Sequence, residues 1–245
     1  MSYKTVMILA GGKGTRFKEE TKDIPKPMVL ANDEPLLVHI MNIYLKFGIN
    51  NIVVLAGYKK GVIVDYFSKY SKLISNEENK FKFKSSSNVT VLDTGKETLT
   101  GGRIKIGLEY VDEEQVYITY GDGLANINIK ELTKFHKENK KLATLTAVKP
   151  PPRFGNIKIS DNLVTKFEEK SSKYENWING GFFIINKAVG NYITNTNQPF
   201  EREPLQSLTS KGELAAYKHA GLFRPVDTIH ELKIVEKDIK NNLFD

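Results

Sequence analysis

Cysteine is absent from this 245-residue sequence, and histidine and arginine are scarce. Without cysteine the chain has no disulfide, no thiolate zinc site and no cysteine nucleophile, which fits a reducing compartment. The four histidines never have the spacing of a zinc-binding helix, and we interpret each as a surface or core residue. They are His39, His136, His219 and His230. No apolar run approaches the roughly 18 residues that span a bilayer, and the first residues show no basic region followed by a long apolar stretch. We therefore expect a soluble, cytoplasmic protein.

The formal charge of +7 and the pI near 9.2 suit nucleic acid, a membrane surface or an anionic small ligand. Most basic residues are scattered lysines, and no basic cluster is interleaved with aromatic residues as a stacking platform requires. The five arginines are Arg16, Arg103, Arg153, Arg202 and Arg224. Arg16 and Arg103 follow glycine-rich turns, where a guanidinium fork suits phosphate. We therefore expect small anionic ligands, with neither nucleic acid nor a membrane as partner.

Short apolar segments alternate with amphipathic segments through the first part of the chain. This alternation predicts an α/β, Rossmann-like fold with a mostly parallel sheet and helices on both faces. After residue 150, strand-like segments follow without long helices between them, which predicts a smaller antiparallel part that forms a substrate wall. We expect one domain over residues 1–245, with halves at 1–150 and 151–245. The polar segment Ser75–Asn88 is expected to be a flexible excursion.

A glycine-rich turn, "LAGGKGTRF" (Leu9 to Phe17), follows the first predicted strand. Bare backbone N–H groups at the carboxyl end of such a strand can cradle a phosphate. The spacing fits neither a P-loop, which ends in Gly-Lys-Ser/Thr, nor a dinucleotide fingerprint, which needs a glycine where Phe17 stands. For the glycines alone, an ordinary turn is the alternative. Lys26 favours the phosphate site, because Pro25 and Pro27 stiffen the backbone that positions its charge.

Two aspartates stand at places suited to ligand binding. Asp122, in "YGDG", follows a predicted strand at the edge where α/β sheets bind ligands, and Asp227, in "RPVDT", follows a proline. Either residue alone is more often a turn or cap residue. Together, two fixed carboxylates can share one Mg²⁺ with substrate phosphates.

These motifs resemble those of the sugar-phosphate nucleotidylyltransferases, and of their glucose-1-phosphate cytidylyltransferase branch in particular. The matching segments, in family order, are "LAGGKGTRF", "PKPM", "VLDTG", "TGGRIK", "YGDG", "ATLTAVKPPPRFG", "INGGFF", "GELAAYKHAG" and "RPVDT". Thymidylyl and uridylyl relatives carry another motif in place of "TGGR", so the resemblance implies CTP. It also implies a nucleotidyltransferase-type fold, Mg²⁺ as cofactor and a phosphorylated sugar or polyol as acceptor. The first half would bind the nucleotide, and the second half would bind the acceptor and supply the second metal ligand.

The resemblance also implies candidate site residues. The catalytic set is Arg16, Lys26, Asp122 and Asp227, of which the two aspartates would hold the metal. The nucleotide-binding set is Leu9, Ala10, Gly11, Gly12, Gly14, Thr15, Arg16, Lys26, Thr100, Arg103 and Gly121. The acceptor-binding set is Glu169, Lys170, Asn179 and Gly180, with Arg224 added because it replaces a polar residue of the family pattern. An acceptor phosphate is already largely dianionic at neutral pH, so the implied in-line transfer needs positioning and charge neutralisation instead of a general base.

Departures from the family pattern lie in the acceptor half, where Ser171 replaces a proline and Arg224 replaces a polar residue. Glucose 1-phosphate is the leading acceptor, giving CDP-glucose, and glycerol phosphate or another phospho-alcohol is the alternative. A catalytically silent nucleotide-binding module is a further alternative, although it has no need for the metal pair. A basic nucleic-acid-binding protein would show steeply salt-dependent binding. We also expect a homo-oligomer.

Overall fold

The computed structural model describes residues 3–14, 23–75, 79–84, 87–150, 156–160, 162–168 and 177–244. The strands are β1 (Thr5–Leu9), β2 (Leu30–Ala31), β3 (Glu34–Pro35), β4 (Asn51–Ala56), β5 (Lys72–Ser75), β6 (Lys80–Phe83), β7 (Ser87–Asp93), β8 (Gln115–Tyr120), β9 (Gly123–Ala125), β10 (Ala143–Val148), β11 (Asn156–Ser160), β12 (Leu163–Glu168), β13 (Ile178–Asn186), β14 (Leu214–His219) and β15 (Phe223–Pro225). The α-helices are α1 (Leu36–Leu45), α2 (Lys60–Tyr70), α3 (Thr100–Tyr110), α4 (Ile129–Asn139), α5 (Glu203–Ser210) and α6 (Ile229–Lys240), and 3₁₀ turns cover Lys26–Met28 and Lys187–Tyr192. None of these described helices is long and apolar enough to cross a membrane.

A nine-stranded sheet forms the centre of the fold, in the order β14-β10-β13-β8-β1-β4-β7-β6-β5. Its central strands β8, β1, β4 and β7 run parallel. Alternate side chains of β1 enter opposite faces of the sheet: Val6 and Ile8 pack in the core that contains α1, whereas Met7 and Leu9 pack in the core that contains α3. The predicted α/β fold with helices on both faces of the sheet is confirmed.

The second half of the chain joins the same sheet. β13 lies between β8 and β10 and is antiparallel to both strands. β14 extends the sheet parallel to β10, and β11 and β12 form a separate two-stranded sheet. The antiparallel part expected from the sequence is therefore built largely into the main sheet.

The flexible excursion expected at Ser75–Asn88 is wrong for the residues of β6. This strand pairs antiparallel with β5 and β7. Phe81 and Phe83 are buried while Lys82 between them is exposed. Such strict alternation is the signal of a strand with one buried face, and the high lysine content of the segment masks it. Residues 76–78, 85 and 86 of the segment lie outside the described residues.

The buried His136 makes its contacts within the protein core. His136 on α4 is 2% exposed, with Nδ1 2.7 Å from Thr144 Oγ1 and Nε2 3.0 Å from Gln115 Oε1. Burial lowers the pKa of His136 to about 4, so the ring is neutral at physiological pH. The ring thus connects α4 to β10 and β8, in keeping with its interpretation as a core residue.

Candidate active site

A cavity of about 960 Å³ opens at the sheet edge where β1 and β8 end. The beginning of β13 reaches the same edge because this strand runs antiparallel to β8. Many of the predicted site residues line this cavity: Leu9, Ala10, Gly11, Gly12, Gly14, Lys26, Thr100, Arg103, Gly121, Asp122, Asn179, Gly180 and Asp227. The predicted residues Thr15, Arg16, Glu169 and Lys170 lie outside the described residues.

Lys26 lies between Asp122 and Asp227. Its Nζ donates to Asp122 Oδ2 at 2.8 Å and to Asp227 Oδ1 at 2.7 Å, and the residue is 8% exposed. Burial by itself would lower the pKa of Lys26, but the two carboxylates outweigh this effect and raise it. The side chain therefore stays charged at neutral pH, and one buried cation is shared by two carboxylates.

The local sequence fixes the backbone that carries Lys26. Pro25 is extended, and the 3₁₀ turn that follows is closed by the Met28 N–H donating to the Pro25 carbonyl at 2.8 Å. Pro27 occupies an early position of the turn, where its missing N–H costs no hydrogen bond. The two prolines thus fix the start of the turn at Lys26, which lines the cavity.

A short ladder brings the two aspartates together. Asp122 follows β8, and the Val226 N–H donates to the Asp122 carbonyl at 2.9 Å, continuing the antiparallel pairing of β9 with β15. The Asp227 N–H donates to Glu231 Oε2 at 2.8 Å, and Thr228 caps the start of α6 by accepting from the Glu231 N–H. A strand pair and a helix cap therefore hold Asp227 beside Asp122, although they are 105 positions apart in sequence.

Arg103 connects the loops that follow three neighbouring parallel strands. Its Nη2 donates to the Gly11 carbonyl at 2.9 Å, after β1. Its Nη1 donates to the Ala56 carbonyl at 3.2 Å, to Thr94 Oγ1 at 2.6 Å and to the Gly95 carbonyl at 2.8 Å, at the ends of β4 and β7. The residue is 4% exposed, and this desolvation lowers its pKa. Arg103 therefore lines the cavity, and its terminal nitrogens are bonded to the protein.

The fit between Arg103 and Gly11 explains one glycine of the predicted phosphate turn. A Cβ added at Gly11 would overlap the Arg103 guanidinium, whereas a Cβ at Gly12 would meet no atom of the described residues within 4 Å. Gly11 is thus required by the packing of Arg103. Gly12 leaves open space in the cavity, where a ligand can approach its backbone.

Four side chains form a hydrogen-bonded group on the wall near β13. Tyr120 Oη donates to Glu201 Oε1 at 2.6 Å, and Thr100 Oγ1 donates to Glu201 Oε2 at 2.6 Å. Asn179 Nδ2 donates to Tyr120 Oη at 3.2 Å. Burial raises the pKa of Tyr120 far above its usual value, so its hydroxyl remains a donor. The group joins the predicted nucleotide residue Thr100 to the predicted acceptor residue Asn179.

Sequence reasoning missed Tyr120 and Glu201. Both residues line the cavity, as does Arg202. Tyr120 is the first residue of "YGDG", so its position next to the Asp122 turn was an available signal. Glu201 lies in a turn between Phe200 and α5, where neither periodicity nor a motif marks it.

Arg224, in contrast, does not face the cavity. In β15 the flanking Phe223 and Pro225 line the cavity, and Arg224 between them points to the other side. Its Nε donates to Asp238 Oδ2 on α6 at 2.6 Å. The expectation that Arg224 contacts the acceptor therefore does not fit its placement, because strand alternation turns it away from the cavity.

Comparison with known proteins identifies related chains. The model of the nucleotidyl transferase family matches residues 5–221. A glucose-1-phosphate cytidylyltransferase from Salmonella typhi is 42% identical over 94% of this chain and 93% of its own length. A D-glycero-alpha-D-manno-heptose 1-phosphate guanylyltransferase from Campylobacter jejuni is 36% identical over 76% of this chain and 77% of its own. The crystal structure of HddC from Yersinia pseudotuberculosis has the same fold, with a TM-score of 0.74 at 24% identity over 96% of this chain and 99% of that one.

Proposed function

The chain belongs to the nucleotidyl transferase family, and from this premise we propose that it transfers a cytidylyl group from CTP to glucose 1-phosphate, giving CDP-glucose and pyrophosphate. The main structural support for this transfer chemistry is the buried Lys26, which bonds to both Asp122 and Asp227 in the cavity. The choice of CTP and of glucose 1-phosphate follows from the similarity to the Salmonella enzyme over nearly the whole chain.

The reaction is a displacement at phosphorus. A phosphate oxygen of the acceptor forms a bond to the α-phosphorus of CTP, and the bond from the α-phosphorus to the bridging oxygen of the β-phosphate breaks. Pyrophosphate leaves with that electron pair. Because the attacking phosphate is already ionised at neutral pH, no side chain has to remove a proton. Lys26 would neutralise phosphoryl charge as it grows in the transition state, and Arg16 is proposed to share this role.

Asp122 and Asp227 have the chemistry to hold a divalent cation, for which we propose Mg²⁺. Their carboxylates already converge on one cation, the Lys26 ammonium, and oxygen donors are the ligands that Mg²⁺ prefers. Within the described ranges, no cluster of three or more acidic or histidine side chains offers a complete site. Phosphate oxygens and water would therefore complete the coordination. When bound, the metal would neutralise phosphate charge and orient the triphosphate.

The structure also bears on the alternative acceptor, whereas the location and assembly of the protein are separate predictions. The phospho-alcohol alternative depended largely on an acceptor contact by Arg224, and the pairing of Arg224 with Asp238 removes that support. A cytoplasmic location and a homo-oligomeric assembly stay predictions.

A pyrophosphate-release assay tests the proposal. The purified chain is assayed with CTP, UTP, GTP and ATP against glucose 1-phosphate, mannose 1-phosphate and glycerol 3-phosphate, with Mg²⁺ or with EDTA. We expect CTP to exceed UTP by about tenfold or more in kcat/KM, because groups placed for the cytosine amine are left unpaired by uracil. Equal use of UTP, or a preference for GTP, would contradict the assignment to CTP.

A further inference from the structure

Among the described carboxylates that line the cavity, Glu201 is the one that does not bond to Lys26. Lys26 bonds to Asp122 and Asp227, whereas the partners of Glu201 in the described part of the chain are the hydroxyls of Tyr120 and Thr100. Each hydroxyl holds a different oxygen of the carboxylate at 2.6 Å, a short distance that is typical of a charged acceptor. The orientation of the carboxylate is thus fixed from two sides.

The hydroxyls of Tyr120 and Thr100 also accept hydrogen bonds from other groups. The Phe200 N–H donates to Thr100 Oγ1 at 2.8 Å, and Asn179 donates to Tyr120 Oη at 3.2 Å. Asn179 in turn accepts from the Gly181 N–H at 2.9 Å. Glu201 therefore belongs to a chain of hydrogen bonds that runs from α3 to the beginning of β13. Such a preorganised group binds a ligand with little cost in ordering.

The Glu201 carboxylate has unused hydrogen-bond acceptor positions, which favour one type of ligand. An ionised carboxylate has about four lone-pair positions, of which Tyr120 and Thr100 use two. Its negative charge repels the phosphates, which we expect to lie at Lys26 instead. Arg202 also lines the cavity, but it forms no described ion pair with Glu201 that would neutralise the carboxylate. Neutral hydroxyl groups are the donors that suit such a site.

We propose that Glu201 binds a hydroxyl group of the acceptor and determines which phosphate esters the enzyme accepts. This inference rests on the proposed cytidylyl transfer and names a residue that selects its acceptor. The acceptor is favoured over the ribose because Tyr120 directly precedes the Gly121–Asp122 turn, and because Tyr120 also bonds to Asn179, the predicted acceptor residue near the start of β13. Tyr120 is then a positioning residue that orients Glu201.

The test is a cycle of enzyme and substrate changes. The wild type and Glu201→Gln are assayed with glucose 1-phosphate and with its 2-, 3-, 4- and 6-deoxy analogues, and also with CTP, 2′-deoxy-CTP and 3′-deoxy-CTP. Glu203→Gln is the matched control, because Glu203 is an exposed glutamate two positions away that does not line the cavity. Urea unfolding of each variant reports on the fold.

We expect removal of one sugar hydroxyl to lower the kcat/KM of the wild type by about tenfold or more, as for a lost hydrogen bond to a charged group. The same removal should have little effect on Glu201→Gln, while KM for CTP stays near the wild-type value in both Glu201→Gln and Glu203→Gln. Tyr120→Phe should raise KM for the acceptor and leave KM for CTP unchanged.

Two outcomes would overturn the inference. If the variant loses its sensitivity to a ribose hydroxyl, Glu201 binds the nucleotide. If every deoxy substrate affects wild type and variant equally, Glu201 has only a structural role. Failure of the proposed function is seen separately, because it shows in the wild type as inactivity with glucose 1-phosphate. The cycle is then run with deoxy analogues of whichever phosphate ester the wild type uses.

Discussion

At the residue scale, the arrangement of Lys26 is costly unless it serves a ligand. An ammonium that is 8% exposed loses most of its hydration, and two carboxylates are needed to stabilise it. Replacing such a group by apolar residues is often neutral or stabilising in proteins that only need to fold. The same charges can stabilise a phosphoryl group and its metal when the cavity is filled. Function therefore accounts for this group better than stability does.

Asp227→Asn tests the charge of this group with little change in shape. The asparagine keeps an oxygen that can accept from Lys26 but loses the negative charge that would hold Mg²⁺. We expect kcat to fall on the order of 10²-fold, about 3 kcal/mol, as for other precisely placed polar groups. Steady-state kinetics over a range of Mg²⁺ concentrations measures the loss. Asp112→Asn, at an exposed position between α3 and β8 that does not line the cavity, should behave as wild type. Wild-type turnover by Asp227→Asn would contradict the metal assignment.

Gly11 and Gly12 allow a second comparison within one turn. In Gly11→Ala the new methyl group overlaps the Arg103 guanidinium, which would have to give up hydrogen bonds to the three loops. We expect the free energy of unfolding to fall by about 1–3 kcal/mol, the cost of losing bonds to a buried charged group. In the described part of the chain, the methyl group of Gly12→Ala meets no atom, so the unfolding free energy of this variant should stay within about 0.5 kcal/mol of wild type.

Urea denaturation of the two variants measures this difference. Equal stability of Gly11→Ala and wild type would show that Arg103 is not held as the structure has it. Equal destabilisation of both variants would mean that the turn resists any side chain, independently of Arg103.

At the element scale, the sequence was informative where a pattern repeats and uninformative where position depends on tertiary contacts. The strands and helices around the cavity follow from hydrophobic periodicity. Motifs suggested Lys26 and Asp227, although they are 201 positions apart, because nearby prolines stiffen the backbone that carries each of them. Arg224 was misplaced because three-residue β15 is too short to show which of its faces is inward. Glu201 was missed because its role depends on Tyr120 and Thr100, which are remote in sequence.

The pairing of β15 with α6 predicts a stability effect for Arg224→Gln without an effect on catalysis. Asp238 is 7% exposed, and this substitution leaves its buried carboxylate without the Arg224 partner. We expect a loss of about 1.5–3 kcal/mol in the free energy of unfolding, the range for a charged hydrogen bond, and unchanged kcat/KM for both substrates. The double variant Arg224→Gln, Asp238→Asn should recover part of this loss, because the unpaired charge is removed.

Kinetics and urea denaturation on the same protein samples decide this case. A rise in KM for the acceptor, with unfolding free energy equal to wild type, would return Arg224 to the acceptor site. That result would also restore the phospho-alcohol alternative.

At the scale of the whole molecule, the two predicted halves are joined through the middle of one sheet. β13 contributes Phe182, Phe183 and Ile184, which are buried on the two faces of the sheet. Removing β13 would expose the edge of β8 and open both cores. Because residues at the ends of β1 and β8 and at the beginning of β13 all line the cavity, its geometry depends on this junction. We therefore expect the two halves to fold together, and their separate binding roles stay a prediction.

The last prediction is that urea unfolds both halves in one transition. Trp177, the single tryptophan, precedes β13, and its ring faces the ammonium groups of Lys149 after β10 and Lys218 in β14. Its fluorescence therefore reports whether the second-half strands are assembled, whereas far-UV circular dichroism reports mainly on helices, most of which precede β10. We expect the two signals to give the same midpoint and the same m value, because separating β13 from β8 exposes both cores. As a control, the unfolding of Trp177→Phe is followed by circular dichroism alone. Its midpoint should equal that of the wild type if the Trp177 side chain does not itself stabilise the fold. A tryptophan transition at clearly lower urea would instead show that the second half unfolds on its own while the parallel strands remain folded.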